Sequence, residues 1–288
     1  MPSERKLFED ADKICYTDAD VLSRLKAVGA HDCDMLFVHT DIMFGIPNRD
    51  MKRREYLDAL SEVLLSLNVP TLLLPTFTFS FPNHEVYDVR SSKTSMGVLL
   101  EHMRKRSEVV YRTLDPLLAV SVIGRGAGAF YDLGRDSLGE NSAFDRVHQN
   151  GGAKFLIFGG ELGESLTYVH HVEKMLDVPY RYDQPFTGRV IDADGREYET
   201  TQSIHTACGG VQPCNFYHFE EDLADRGLLR RERLGDSKVI CVEEAVVYRE
   251  VAAKLAQNMS YFLGQPFTEA DLRHEYKYGR NGEKVTHC

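Results

Sequence analysis

No run of about eighteen apolar residues occurs in this 288-residue sequence, so it offers no candidate for a membrane-spanning helix. The opening residues, MPSERKLFEDADK, are charged throughout and lack the apolar centre of a secretory signal, which makes the cytoplasm the expected compartment. Six cysteines, Cys15, Cys33, Cys208, Cys214, Cys241 and Cys288, show no CxxC spacing. A zinc site and a disulfide framework are both argued against, and reduced thiols with no bound metal are expected. Basic charge is also short: 34 Lys and Arg face 44 Asp and Glu, for a net charge of −10. Nucleic-acid binders present the opposite excess to phosphate, so nucleic acid is not an expected partner. An acidic surface suits a cationic substrate, and it suits plain solubility equally. P-loop, G-x-S-x-G, H-E-x-x-H and EF-hand signatures are all missing, which removes the commonest nucleotidases, serine hydrolases and zincins.

What is present is enough apolar residue, 43%, for one large α/β domain spanning residues 1–288. Its organising stretch is KFLIFGGELGESLTYVHHVEKMLDVPYR, Lys154 to Arg181. The apolar run Phe155 to Phe158 stops at Gly159 and Gly160, and a helical pattern opens near Thr167. That reads as a buried strand, a turn and a helix. Residues three apart share a helix face, so Glu173 can bias the His170 imidazole toward one tautomer and make the pair a proton acceptor. The same pattern also fits an ordinary helix in which His170 only bonds a neighbour.

Similar strand and helix units flank this stretch. A capped helix covers Thr17 to Lys26, a strand Asp34 to Thr40, a helix about Arg49 to Leu67, and a buried strand Pro70 to Pro75. The segment VLLEHMRKR reads as a helix ending in a basic cluster. The strand LLAVSVIG precedes Gly124 and the sequence GRGAGA, a variant of the dinucleotide fingerprint. It follows two earlier strand–helix units, however, and its acidic partner would fall in the loop-like ENSAFDR. Alternation about Asp192 to Gly195 predicts an antiparallel hairpin within a β-rich insertion at about 183–216. Further on, FEEDLADRGLL reads as a short helix, Ser237 to Glu244 as a strand, and Ala245 to Leu263 as a long amphipathic helix. That helix packs on its own core or on a second subunit, so a homodimer stays open. The tail after Pro266 is polar and expected to be loose.

Four blocks in order resemble the aminoglycoside 3-N-acetyltransferase, or antibiotic N-acetyltransferase, family. They are Val38-His39-Thr40-Asp41 with Gly45, Leu74-Pro75-Thr76-Phe77-Thr78, Arg112-Thr113-Leu114-Asp115-Pro116 with Gly124, and Thr167-Tyr168-Val169-His170-His171-Val172-Glu173. The resemblance implies a three-layer α/β/α sandwich with a central, mostly parallel mixed sheet, and acetyl-CoA as co-substrate. It makes His170 the candidate catalytic base with Glu173 as its carboxylate partner. His39, Thr40, Asp41, Arg112 and Thr113 are placed on the coenzyme side, and Thr76, Asp115 and Glu164 on the substrate side. Many drug-modifying members carry histidine where this chain has Asp115, and serine where it has Ala119. The form with aspartate looks more like members found with surface-polysaccharide sugar pathways.

Acetyl transfer to an amine needs the amine neutral and held against a polarised thioester, for which histidine is a suitable base near neutral pH. The expected activity is therefore acetyl transfer from acetyl-CoA to an amino sugar, nucleotide-linked or free, or to an aminoglycoside antibiotic. The remaining alternatives are a nicotinamide-dependent oxidoreductase using GRGAGA and a non-catalytic CoA-binding protein.

Overall fold

The computed structural model describes residues 4–277. In chain order it holds β1 (Lys6–Glu9), β2 (Cys15–Thr17), α1 (Asp18–Ala27), β3 (Met35–Thr40), β4 (Ile46–Pro47), α2 (Arg53–Leu65) and β5 (Thr71–Pro75). Next come β6 (Tyr87–Asp88), α3 (Val98–Met103), β7 (Val109–Arg112), β8 (Val120–Gly124), α4 (Ala143–Asn150) and β9 (Ala153–Phe158). The remainder is α5 (Leu162–Ser165), α6 (Tyr168–Met175), β10 (Arg181–Ile191), β11 (Glu197–Ala207), α7 (Tyr217–Asp225), β12 (Leu229–Leu234), β13 (Ser237–Glu243) and α8 (Glu244–Gln257). Local chemistry sets several of these ends. The Thr17 hydroxyl accepts from the Asp20 N–H at 3.2 Å, and the Asp20 carboxylate accepts from the Thr17 N–H at 2.8 Å, a reciprocal cap that starts α1.

Seven strands form the main sheet in the order β12-β13-β9-β3-β5-β8-β7. Alternate residues of each strand face opposite layers. Phe37, Leu73, Phe155 and Ile157 join the cluster covered by α4, α6, α7 and α8. Leu36, Val38, Leu72, Leu74, Leu156 and Phe158 join the one covered by α1, α2 and α3. The expected three-layer α/β sandwich with a mixed sheet is present. Its parallel part is smaller than expected: β3 runs parallel to β5 and β9, and the other four pairings are antiparallel. Both ends of the sheet are hairpins, β7–β8 and β12–β13, and strands joined by a hairpin must run antiparallel. The predicted hairpin is there too, as β10 and β11 paired over eleven residues each.

Other boundaries moved for local reasons. The helix expected to reach Leu263 stops at Gln257, because the Asn258 side chain accepts from the Ser260 N–H at 3.0 Å and offers the backbone a turn in place of another helical bond. The helix expected from Arg49 begins at Arg53. The stretch ENSAFDR, read as loop, holds the start of α4, where the Ser142 hydroxyl accepts from the Asp145 N–H at 3.1 Å. The tail expected to be loose after Pro266 packs on the hairpin as far as it is described: His274 stacks on Tyr182 at 4.3 Å, and Tyr276 meets Phe186 edge-on at 4.9 Å. Cys288 lies outside the described residues. Among the described residues no helix is long and apolar enough to cross a membrane.

Parallel strands β3, β5 and β9 end on one edge of the sheet, where ligands of open α/β folds are bound. Glycine is required there. Gly159 has φ +89°, and a Cβ on it would lie 1.7 Å from the Asp41 carbonyl oxygen. Gly159→Ala is expected to lower stability by at least about 2 kcal/mol. Gly128→Ala, at a glycine whose Cβ would meet nothing within 4 Å, should change it by less than about 0.5 kcal/mol. Paired thermal unfolding curves measure both.

Candidate active site

A cleft of about 860 Å³ opens between this edge, α5, α6 and the β10–β11 hairpin. Its lining includes Phe77, Phe79, Met96, Glu164, Thr167, His170, Arg181 and Phe216. The Gly159-Gly160 turn ends β9, and α6 starts beyond it with His170 in its first turn. Residue spacing on that helix places Glu173 beside His170, with Glu173 Oε2 2.6 Å from His170 Nδ1. Glu173 is 1% exposed. Its other oxygen accepts from the Tyr180 hydroxyl at 2.6 Å, and Arg181 Nε stands 2.7 Å from Oε2 as an ion pair.

Burial alone would raise the Glu173 pKa. Arg181, His170 and the Tyr180 hydrogen bond outweigh it and bring the pKa down to about 2. The ionised carboxylate only accepts, so the proton of neutral His170 sits on Nδ1 and its Nε2 carries the lone pair. The His170 pKa is lowered by burial first and by the Arg181 charge second, with Glu173 opposing both. Arg181 is itself held, donating to the His205 carbonyl at 3.1 Å and facing His170 Nε2 at 3.4 Å. The result is a neutral imidazole, fixed in tautomer, with its basic nitrogen toward a cleft wall.

Glu164, on the short α5, also lines the cleft. Its Oε1 accepts from the Tyr217 hydroxyl and, at 3.4 Å, from the Asn215 amide. Thr40 and Asp41 sit at the end of β3 on the same edge, half-buried and exposed. The other expected site residues are buried and are not among the cleft lining. His39 is 3% exposed against Phe37, and burial drops its pKa to about 3. Arg112 donates to the Thr76 hydroxyl and carbonyl at 3.1 and 2.8 Å, and to the Val89 and Ser92 carbonyls at 3.1 and 2.8 Å, with its guanidinium over the Tyr87 ring. These bonds engage four of the five guanidinium N–H groups within the fold. The buried Thr76 hydroxyl is shared with Arg112 and Ser121. Thr113 accepts from the Val120 N–H at 2.9 Å, and Asp115 from the Leu117 and Leu118 N–H groups at 2.8 and 3.0 Å. The Arg-Thr-x-Asp-Pro block therefore closes the β7–β8 turn and makes no cleft surface.

Sequence reasoning missed Tyr180, Arg181 and His205. The first two end the stretch already singled out, where an aromatic hydroxyl and a cation follow the helix directly. His205 comes from a strand with no local signal; its Nδ1 is 2.9 Å from Asp183.

The GRGAGA segment is no dinucleotide turn. It forms a 3-10 helix, Arg125–Phe130, after a strand antiparallel to its neighbours. Gly124 and Gly126 are small because a Cβ would lie 2.2 Å from the Pro70 carbonyl oxygen and 2.4 Å from the Thr71 hydroxyl. Among the described residues no group of three or more His, Cys, Asp or Glu is placed to hold a metal ion.

Comparison with solved structures finds the same fold. The aminoglycoside acetyltransferase AAC(3)-IVa apoenzyme is 20% identical at a TM-score of 0.69, covering 86% of this chain and 92% of that one. A binary structure of AAC-IIIb with CoASH is 20% identical at 0.69, covering 88% and 99%. AAC-VIa bound to sisomicin is 15% identical at 0.67, covering 84% and 98%. No curated protein matches by sequence. The family model described as aminoglycoside 3-N-acetyltransferase matches residues 38–256, a span that runs from the end of β3 through the His170–Glu173 helix into α8. With that match over most of its length, the chain belongs to the aminoglycoside 3-N-acetyltransferase family and is an acyltransferase dependent on acetyl-CoA.

Proposed function

We propose that this protein transfers the acetyl group of acetyl-CoA directly to an amino group of an amino sugar or aminoglycoside, with His170 as general base. The observation that carries the proposal is the His170 imidazole, its Nδ1–H given to an ionised Glu173 and its Nε2 lone pair at the cleft. In the reaction Nε2 takes the proton of the attacking amine as the N–C bond forms. The tetrahedral carbon then expels the CoA thiolate, which recovers the proton from His170, leaving an N-acetyl product and CoASH. The amine displaces the long Arg181 contact at Nε2, while Glu173 steadies the imidazolium.

Phe77, Phe79 and Met96, beside the strand edge that carries Thr40, form an apolar channel of the kind a pantetheine arm requires. Glu164 lies with Phe216 in the same cleft and serves as the substrate-side carboxylate. The similar structures that hold CoASH and sisomicin support the same two classes of ligand. Thiol release from acetyl-CoA in the presence of amines tests the reading, with the N-acetyl product identified by mass spectrometry. Amine-dependent release is expected. Binding of CoA without release for any amine would favour the non-catalytic alternative.

A further inference from the structure

Acetyl transfer creates two new charges, a positive one on the base and a negative one on the thioester oxygen as its carbon becomes tetrahedral. The first is provided for, since Glu173 Oε2 lies 2.6 Å behind His170 Nδ1. The second needs a donor, and the backbone around the base has none to give at Leu166, Thr167 or His170. Their N–H groups are donated to the carbonyls of Leu162, Ser165 and Thr167 at 3.0, 2.9 and 2.9 Å. Two side chains of the lining remain close in structure to the base, the Thr167 hydroxyl at the start of its helix and the Arg181 guanidinium. Only the second is charged.

The Arg181 side chain is 7% exposed and is held at two of its three nitrogens. Nε stands 2.7 Å from Glu173 Oε2, and Nη1 donates to the His205 carbonyl at 3.1 Å. A guanidinium is planar and rigid, so two anchors fix where the third nitrogen points. That nitrogen, Nη2, lies 3.4 Å from His170 Nε2 and bonds nothing else among the described residues. A cation placed there lowers the basicity of the ring, which by itself works against a general base. The geometry shows what offsets it. The nitrogen and oxygen on one tetrahedral carbon lie closer together than 3.4 Å, so an amine at Nε2 and an oxyanion at Nη2 fit side by side at about 2.7–3.1 Å each. Charges then alternate around the site, from Glu173 to the imidazolium, the oxyanion and the guanidinium.

Resting on the acetyl-transfer reading above, we infer that Arg181 is a second catalytic residue, whose Nη2 donates to the oxyanion of the tetrahedral intermediate. As the N–C bond forms, the π pair of the thioester carbonyl moves onto the oxygen beside Nη2, and the amine proton passes to His170 Nε2. The pair then returns to the carbonyl, the C–S bond breaks, and the CoA thiolate takes the proton from His170. Arg181 itself exchanges no proton.

The test joins kinetics to infrared spectra of bound acetyl-CoA labelled isotopically at its thioester carbonyl. Arg181→Met should lower kcat by about a hundredfold or more on the pH-independent plateau, the usual effect of losing one oxyanion donor. Tuning of the base alone would move the acid limb and leave the plateau nearly unchanged. In the wild type the bound carbonyl should stretch at a lower frequency than in water, and the shift should persist in His170→Ala and vanish in Arg181→Met. Arg181→Lys keeps a cation for Glu173 but lacks the second arm, so it should lose both plateau and shift, and it serves if the methionine variant fails to fold. An unchanged plateau in both variants, an unshifted carbonyl in the wild type, or a shift removed by Thr167→Val and kept by Arg181→Met would overturn the inference and leave acetyl transfer standing. Bound acetyl-CoA with no thiol release for any amine would instead remove the acetyl-transfer reading, and this catalytic role with it.

Discussion

His170→Ala lowers kcat by about a hundredfold or more, the usual range for losing a general base, while the protein stays folded and still binds CoA. The ring is half-buried at a cleft wall, and its principal bond is to Glu173, so the loss is expected in chemistry before stability. The pH profile separates a base from a merely structural histidine. A base works in its neutral form, and here burial and Arg181 lower its pKa. The acid limb of kcat should therefore lie below the ordinary histidine value of about 6.5. Removing the cation with Arg181→Met should move that limb to higher pH, because one of the two effects that disfavour the imidazolium is gone. Glu173→Gln should act in the opposite sense, leaving Arg181 unbalanced beside the ring and stabilising the imidazolium less. A limb that does not move in either variant, with near-wild-type kcat in His170→Ala, would take His170 out of the mechanism.

Arg112→Met has the largest expected effect on stability. Arg112 is 6% exposed and ties together two segments of backbone through three carbonyls, those of Thr76, Val89 and Ser92. Methionine fills much of the volume but leaves those carbonyls buried without donors, each costing about 1–3 kcal/mol. A total loss of about 3 kcal/mol or more is expected, and a fall in Tm of roughly 10 °C. The measurement also decides between two roles for this residue. At a temperature where the variant is folded, KM for acetyl-CoA should stay near the wild-type value, because the guanidinium is buried and four of its five N–H groups hold the fold. A large rise in KM with little change in Tm would return Arg112 to the coenzyme site.

The difference between His170 and Arg112 shows what could be read in advance. Both belong to blocks that resemble the same family, and both are polar residues next to a strand or turn. His170 was legible because its chemistry is local: a helix period brings Glu173 to it over three residues, and that geometry follows from the sequence. The burial of Arg112 was not legible, because its partners are 20 to 36 residues away, and nothing in the sequence says whether a side chain at a strand end turns outward or folds under. Asp115 is the same case on a shorter scale. The departure from histidine that looked like a change of pocket is a carboxylate closing its own turn.

By itself the sequence determined the α/β class, the strand–turn–helix that carries His170 and Glu173, and the long hairpin, because each rests on periodicity, turn chemistry or local spacing, while the family was legible through the resemblance of four blocks in order. Only the tertiary structure decided that the sheet is mixed with a small parallel centre, since pairing direction depends on which distant strands meet. It also brought Tyr180 and Arg181 around the His170–Glu173 pair and buried His39, Arg112 and Thr113. The net charge of −10 suits a cationic ligand and plain solubility alike, but charge acts where it is exposed, and folding leaves Glu164 as the one carboxylate among the described residues lining the cleft.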